Sequence, residues 1–210
     1  MHFAREGHSR IFGLGLGCLA LNLLGFPTLG LIFLVLTLFV AFFFRDPERV
    51  APGDERLIVA PADGRVVTIE QDVQEKRFLS APTTRVGIFM SPLDVHVNRM
   101  PISGRVEAVR YQAGKFRPAF ATDATEVNEQ NAVIVQDSQG RRVLLVQVAG
   151  ILARRIICRL EGGERVHQGD RYGMIMLGSR VDVYCAAKLE VKVQVGQYVK
   201  AGETILGEYV

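Results

Sequence analysis

The hydrophobic pattern divides the chain into two unlike parts. From Ile11 to Phe44 no residue is charged, and the only polar side chains are Asn22, Thr28 and Thr37. As one straight helix this run would extend about 50 Å, against a bilayer hydrocarbon core of about 30 Å. Gly25-Phe26-Pro27 interrupts it near the middle, and proline breaks a helix interior. The pattern predicts two short apolar helices joined by a turn, a helical hairpin over residues 1–45. Arg5 and Arg10 precede it, and Arg45 and Arg49 follow it. Positive flanks at both ends are expected on the cytoplasmic side of a membrane. A hairpin permits that and a single span does not. A cleaved secretory signal would have a shorter apolar region and a small-residue cleavage site, whereas this run closes on Phe42-Phe43-Phe44-Arg45.

Beyond Phe44 the period shortens. Runs rich in Val and Ile recur between turn signals, among them Leu57–Ala60, Val66–Ile69, Val86–Met90, Val95–Val97, Val143–Val148, Met174–Leu177 and Val181–Tyr184. They predict a mainly β domain over residues 46–210, a sandwich or barrel. The longest candidate loop runs from Gly114 to Asn131, and long loops often carry function. Two internal echoes refine the architecture. Pro61-Ala62-Asp63-Gly64-Arg65-Val66 returns as Pro101-Ile102-Ser103-Gly104-Arg105-Val106. Gly163-x-x-Val166-x-x-Gly169-Asp170 returns as Gly196-x-x-Val199-x-x-Gly202-Glu203. Such strand–turn–strand units resemble the hybrid barrels of lipoyl and biotinyl carrier domains. For most positions the echo is turn grammar; Asp63 stands out because its counterpart is Ser103.

Composition narrows the function. A net charge of +3 spread over 210 residues, with no basic helix and no aromatic-plus-basic motif, argues against nucleic acid. The cysteines Cys18, Cys158 and Cys185 match no zinc spacing and leave an odd thiol, so neither a metal site nor a disulfide framework is expected. Of the four histidines, His2 and His8 precede the apolar run and His167 lies in a glycine-flanked turn. His96 sits in Asp94-Val95-His96-Val97-Asn98, where a strand would place Asp94, His96 and Asn98 on one polar face. A lone strand histidine is more often structural than catalytic, and only that polar face favours chemistry.

Gly178-Ser179 interrupts an apolar stretch, Tyr172 to Tyr184. A hydrolase elbow needs G-x-S-x-G followed by a helix, which is absent here. A carrier domain needs a modified lysine, and Lys188 lacks the expected flanks. A serine hydroxyl can attack the preceding carbonyl and convert the amide to an ester, and glycine on the N-terminal side leaves the approach open. Loss of the serine α-proton then eliminates the ester, and the resulting dehydroalanine hydrolyses to a pyruvoyl ketone.

With these residues in view, the chain resembles the phosphatidylserine decarboxylase proenzyme family in its short bacterial form. The resemblance spans Arg45-Asp46-Pro47, Pro61-Ala62-Asp63-Gly64, Met90 through Asn98, Ala113-Gly114-Lys115-Phe116, Asn128-Glu129-x-Asn131 and Tyr172 to Val183. It implies cleavage between Gly178 and Ser179 into a β chain, 1–178, and an α chain, 179–210. The α chain would begin with a covalent pyruvoyl group made from Ser179, with no metal and no pyridoxal phosphate. Asp63 and His96 match the family's acidic residue and histidine, linked to Ser179. Where long-form members carry threonine and a second histidine, this chain carries Arg180 and Arg99, so a two-histidine relay is not implied. The implied reaction is decarboxylation of phosphatidylserine to phosphatidylethanolamine through a Schiff base, with His96 as proton donor. Lys115, Phe116, Arg117 and Arg180 are candidate substrate contacts, the cations for the lipid phosphate. Arg45 and Arg49 are candidates for attraction to an anionic leaflet. The implied location is the bacterial inner membrane, with the β domain facing the cytoplasm; homo-oligomer formation stays open. The rival reading is a membrane-tethered hybrid-barrel adaptor without catalysis, which leaves Gly178-Ser179 unexplained.

Overall fold

A computed structural model describes residues 2–75, 77–79, 81–119, 124–150, 155–176 and 178–210. The chain forms two compact units, Met1–Glu48 and Arg49–Val210. In the first, strands β1 (His2–Phe3) and β2 (Arg45–Asp46) pair antiparallel and close the two ends of a helical segment. That segment is helix α1 (Arg5–Leu23) and helix α2 (Pro27–Phe43), with Gly25 turning between them at φ +83°. The helices approach closely at small residues. A Cβ on Gly7 would meet Phe44, one on Gly17 would lie 2.9 Å from the Phe33 ring, and one on Gly30 would meet the Asn22 amide. Among the described residues no helix is long and apolar enough to cross a membrane. The 17 residues of α2 extend about 26 Å at 1.5 Å each.

The second unit is β throughout, apart from one helical turn. Its strands are β3 (Leu57–Val59), β4 (Gly64–Gln74), β5 (Pro82–Met90), β6 (Val97–Arg99), β7 (Gly104–Gln112), β8 (Gln130–Gln136), β9 (Arg142–Val148) and β10 (Ile156–Cys158). They continue as β11 (Arg165–Val166), β12 (Arg171–Ile175), β13 (Ser179–Cys185), β14 (Leu189–Val191), β15 (Tyr198–Val199) and β16 (Ile205–Tyr209), with the turn α3 at Ala124–Val127. An eight-stranded sheet runs β11-β7-β8-β9-β13-β5-β4-β15, and two three-stranded sheets run β10-β12-β6 and β14-β16-β3. The expectation of a mainly β chain holds, with two long helices ahead of a curled sheet.

The curl comes from register shifts placed symmetrically, at Val66/Thr68 between β4 and β5 and at Val106/Ala108 between β7 and β8. Bulges bend a strand and increase its twist. The two sequence echoes form matching bonds. Val66 N–H donates to Gln197 O and Val106 N–H to Glu164 O, both at 2.9 Å. Gly196 N–H returns a bond to Val66 O, and Gly163 N–H to Val106 O, at 2.8 and 2.7 Å. Gly196 and Gly163 sit at φ +91° and +95°, where a Cβ would be strained.

The core fills the concave side. Val86 and Ile88 of β5, Val133 and Val135 of β8, Val143 and Leu145 of β9, and Val181 and Val183 of β13 pack against Ile58, Met100, Tyr172, Ile175 and Leu206. The opposite side is covered as well, where Ile134, Leu144, Val146 and Tyr184 meet Leu79. Strands β8, β9 and β13 are therefore buried on both faces; β8 and β9 read as mostly apolar runs without alternation, whereas β13 alternates with Arg180 and Asp182.

Three expectations change. Strand β6 begins only at Val97, so Asp94 and His96 precede it, and residues 95–100 are all buried without a polar face. The Gly114–Asn131 segment contains α3 and the start of β8, while its residues 120–123 lie outside the described residues. The Met174–Leu177 run ends as strand at Ile175, and Leu177 also lies outside the described residues.

Burial leaves a mark on stability at high pH. It pushes the Cys185 thiol up to about 12 from 9.0, and the Tyr184 phenol up to about 12 from 10.0. Both groups hold their protons longer when folded, so the stability they contribute is complete below about pH 9 and lost as pH rises toward 12. The melting temperature is expected to fall steadily across that window and to be less sensitive between pH 7 and 8.5; a flat profile to pH 11 would contradict the assignment.

Candidate active site

Ser179 opens β13, a strand bonded on both sides: Ser179 stands opposite Met90 of β5, and Arg180 opposite Val148 of β9. Strand alternation sends Ser179, Val181 and Val183 to the concave core and Arg180, Asp182 and Tyr184 to the other face. The Ser179 side chain is fully buried, and its Oγ has no hydrogen-bond partner among the described residues. An unsatisfied buried hydroxyl costs about 1–3 kcal/mol. Gly178, immediately before it, adopts φ +66°, the left-handed region. Any other residue there would be strained, and the missing Cβ leaves the flank of the Gly178 carbonyl open.

The segments carrying Asp63 and His96 converge on Met90, the cross-strand partner of Ser179. Gly64 abuts the Phe89–Met90 backbone: a Cβ there would stand 3.3 Å from Met90 Cα. Beyond Met90 the chain turns at Ser91–Asp94, where the Asp94 carboxylate accepts from Ser91 N–H at 2.7 Å and from the Tyr198 hydroxyl at 2.8 Å. His96 follows, fully buried, with Nδ1 2.8 Å from the Asp94 carbonyl oxygen. The strand it leads into returns to Met90 through Asn98, whose Nδ2 donates to Met90 Sδ at 3.6 Å. Asp63 is 3% exposed; its Oδ1 accepts from Ala201 N–H at 2.8 Å and its Oδ2 from the Arg49 guanidinium at 2.9 Å. In the second echo, Ser103 Oγ accepts the equivalent bond from Gln168 N–H at 2.9 Å. The backbone bond is thus shared by both copies, and the charge pair with Arg49 belongs to Asp63.

Two basic residues are not where the sequence pointed. Arg180 is no phosphate ligand in this geometry. Its side chain is 3% exposed, its Nε donates to Asp182, and its terminal nitrogen donates to the Thr68 hydroxyl at 3.0 Å. Asp182, fully buried, also accepts from Arg85 at 2.9 Å and from Thr125 at 2.7 Å. The polar face of β13 needed charges of both signs to be buried at all. Arg49, expected at a membrane surface, is 10% exposed and bridges Asp63 and Glu203, each at 2.9 Å. Lys115, Phe116 and Arg117 do lie at the surface.

Other positions near the site, Asn128 and Asn131 among them, stood in quoted motifs but were given no role from the sequence. Asn128, fully buried, ties this surface segment down: its Oδ1 accepts from Arg117 N–H at 2.9 Å, and its Nδ2 donates to Arg117 O and Ala149 O at 2.8 Å. A buried amide chain lines the concave side behind Met90. Asn131 donates to Gln147 at 3.2 Å, and Gln147 donates to Asn98 at 2.9 Å. Polar residues inside apolar β runs were the available signal, as in Asn128-x-x-Asn131 and Val146-Gln147-Val148.

Comparison with known proteins shows the family. The family model described as phosphatidylserine decarboxylase matches residues 36–207. A phosphatidylserine decarboxylase proenzyme of Syntrophus aciditrophicus is 43% identical over 207 residues, 98% of this chain and 97% of its own. One from Geobacter sulfurreducens is 48% identical over 175 residues, 83% of this chain and 79% of its own. One from Pelodictyon phaeoclathratiforme is 43% identical over 214 residues, 99% of this chain and 100% of its own. The chain belongs to the phosphatidylserine decarboxylase family.

The buried charge cluster should betray itself in stability. Removing the Asp182 charge strands Arg180 and Arg85, and breaking a buried pair costs about 3–5 kcal/mol. Asp182→Asn in an uncleaved Ser179→Ala precursor is expected to lower the urea unfolding free energy by about that amount; a loss below about 1 kcal/mol would show the cluster to be incidental.

Proposed function

We propose that this chain is a self-processing precursor that cleaves itself at Gly178–Ser179 and then decarboxylates phosphatidylserine to phosphatidylethanolamine. The observation that carries the reading is the buried Ser179 hydroxyl, without a partner among the described residues, directly after a left-handed glycine. The relatives, each a phosphatidylserine decarboxylase proenzyme by name, support it.

In processing, Ser179 Oγ attacks the Gly178 carbonyl carbon. His96 takes the hydroxyl proton and returns it to the departing amide nitrogen, as in other acid–histidine–nucleophile sets. Asp63, held by Arg49 and the Ala201 N–H, fixes the orientation and charge of the imidazole. Removal of the Ser179 α-proton then eliminates the ester, leaving Gly178 as a carboxylate and position 179 as dehydroalanine, which water hydrolyses to a pyruvoyl group with release of ammonia. The site fits such a group: a small side chain in a fully buried position, with Met90 opposite it across the ladder. When formed, that group supplies an electron sink for loss of carboxylate from a bound amine. His96 delivers the replacing proton to the substrate α-carbon, since imidazole is a side chain that can both give and take a proton. Lys115 and Arg117 meet the lipid phosphate, and Phe116, 37% exposed, offers its ring beside them.

The helical unit holds the enzyme at the bacterial inner membrane, with the β unit on the cytoplasmic side. Its support is an apolar exterior: fifteen of the 22 exposed large apolar side chains among the described residues lie between Phe12 and Phe42. Exposed apolar surface on that scale marks a membrane or protein partner. The β unit is a hybrid barrel of the lipoyl and biotinyl kind, a reading supported by the matched bonds and bulges of its two echoes.

Ser179→Ala is expected to give one full-length band and no phosphatidylethanolamine; a processed, active variant would refute the assignment. His96→Ala should reduce turnover at least about a hundredfold. Turnover within about threefold of the parent, less than about 0.7 kcal/mol of barrier, would remove His96 as proton donor.

A further inference from the structure

The carbonyl that Ser179 must attack is seated on a glycine remote in sequence. A Cβ built on Gly150 would fall on the Gly178 carbonyl oxygen, 3.0 Å from the Gly178 carbonyl carbon and 3.3 Å from the Ala119 Cβ. Real Cβ atoms essentially never come so close to backbone, so a side chain here must displace the carbonyl. The hydrogen that occupies the Cβ direction points along the carbonyl toward its oxygen, the geometry of a Cα–H···O contact.

Gly150 is itself held from behind. Asn128 Nδ2 donates to Ala149 O at 2.8 Å, and Ala149 N–H donates to Glu129 O at 2.9 Å. The same Asn128 accepts from Arg117 N–H and donates to Arg117 O. Gly114, whose missing Cβ would meet the Asn128 and Glu129 backbone, lets the Lys115–Arg117 segment lie against this clamp. One buried amide thus connects the proposed phosphate-binding segment to the residue that touches the scissile carbonyl.

We propose that Gly150, fixed by Asn128, is a positioning residue for self-cleavage: it aims the Gly178 carbonyl at Ser179 Oγ and receives its oxygen as negative charge develops there. The inference rests on the self-cleavage reading. As the Oγ–carbon bond forms, the carbonyl π pair moves onto the oxygen resting on Gly150. When that pair returns, the carbon–nitrogen bond breaks and the Ser179 nitrogen takes the proton lost by Oγ. No oxidant or reductant is needed. A methyl at position 150 would push the oxygen away and turn the carbonyl carbon off the line of attack; small misplacements of reacting atoms are costly.

The test follows conversion of freshly synthesised full-length protein, with hydroxylamine added to trap the ester. Wild type must convert; if it does not, the self-cleavage reading fails and Gly150 is not what was tested. Gly150→Ala is expected to convert at least about tenfold more slowly, to yield correspondingly less hydroxylamine-cleaved fragment, and to melt within a few degrees of the Ser179→Ala precursor. A merely structural role would lower melting and leave trapping proportionate to folded protein. Should Gly150→Ala fail to fold, Asn128→Ser decides, because it removes both donated bonds and leaves Gly150 in place. Conversion within about threefold of wild type in whichever folded variant is tested, or undiminished trapping, overturns the proposal.

Discussion

The structure depends on a strand that is bonded on both sides from its second residue onward. Ser179 enters β13 opposite Met90, and from Arg180 to Cys185 the strand is paired with β5 and β9 together. The Arg180–Asp182 pair and its partners Arg85, Thr125 and Thr68 lock the outer face of the same strand. A chain opened just before this strand would keep its new end in place, because the ladders and the ion cluster tie the strand beyond the opening to residues that precede it. The buried hydroxyl of Ser179 is a local departure from satisfaction, one that the Tyr172 and Tyr209 hydroxyls share among the described residues. Proteins retain such departures where chemistry uses them.

The concave core explains why a polar site can exist at one end of an apolar sheet. Val181, Val183 and Cys185 continue the inner face begun by Ser179, and Val86, Ile88 and Met90 face them from β5. At the Ser179 end the lining changes to Asn98, Gln147 and Asn131, each hydrogen-bonded to the next. Gly173 makes room for them: a Cβ there would stand 2.9 Å from the Gln147 amide nitrogen. A fully connected buried network fixes its members in place, whereas a partly satisfied one would cost more than an apolar core. Here it carries the strand that follows His96 up to the strand opposite Ser179.

Much of this was legible in the sequence for definite physical reasons. Gly178-Ser179 was visible because a glycine and a hydroxyl have no packing reason to interrupt an apolar run. Asp63 was visible because the echo put serine at the equivalent position, and the structure shows both side chains making the same backbone bond. The faces of His96 were not legible, because residues 95–100 are covered on every side and periodicity carries no information there. Arg49 and Arg180 looked like cations for an anionic leaflet and a lipid phosphate; their partners, Glu203 with Asp63 and Thr68 with Asp182, include groups more than a hundred residues away. Gly150 reads as turn punctuation in Val148-Ala149-Gly150, and only its approach to the Gly178 carbonyl distinguishes it.

The central claim concerns the chemical nature of one chain end, and denaturing mass spectrometry of the C-terminal fragment tests it most directly. The account predicts a fragment covering residues 179–210 that is lighter than the serine-initiated peptide by the mass of ammonia and gains two hydrogens on borohydride treatment. An active preparation whose protein is a single intact chain, or whose fragment begins with an unmodified Ser179, would contradict it.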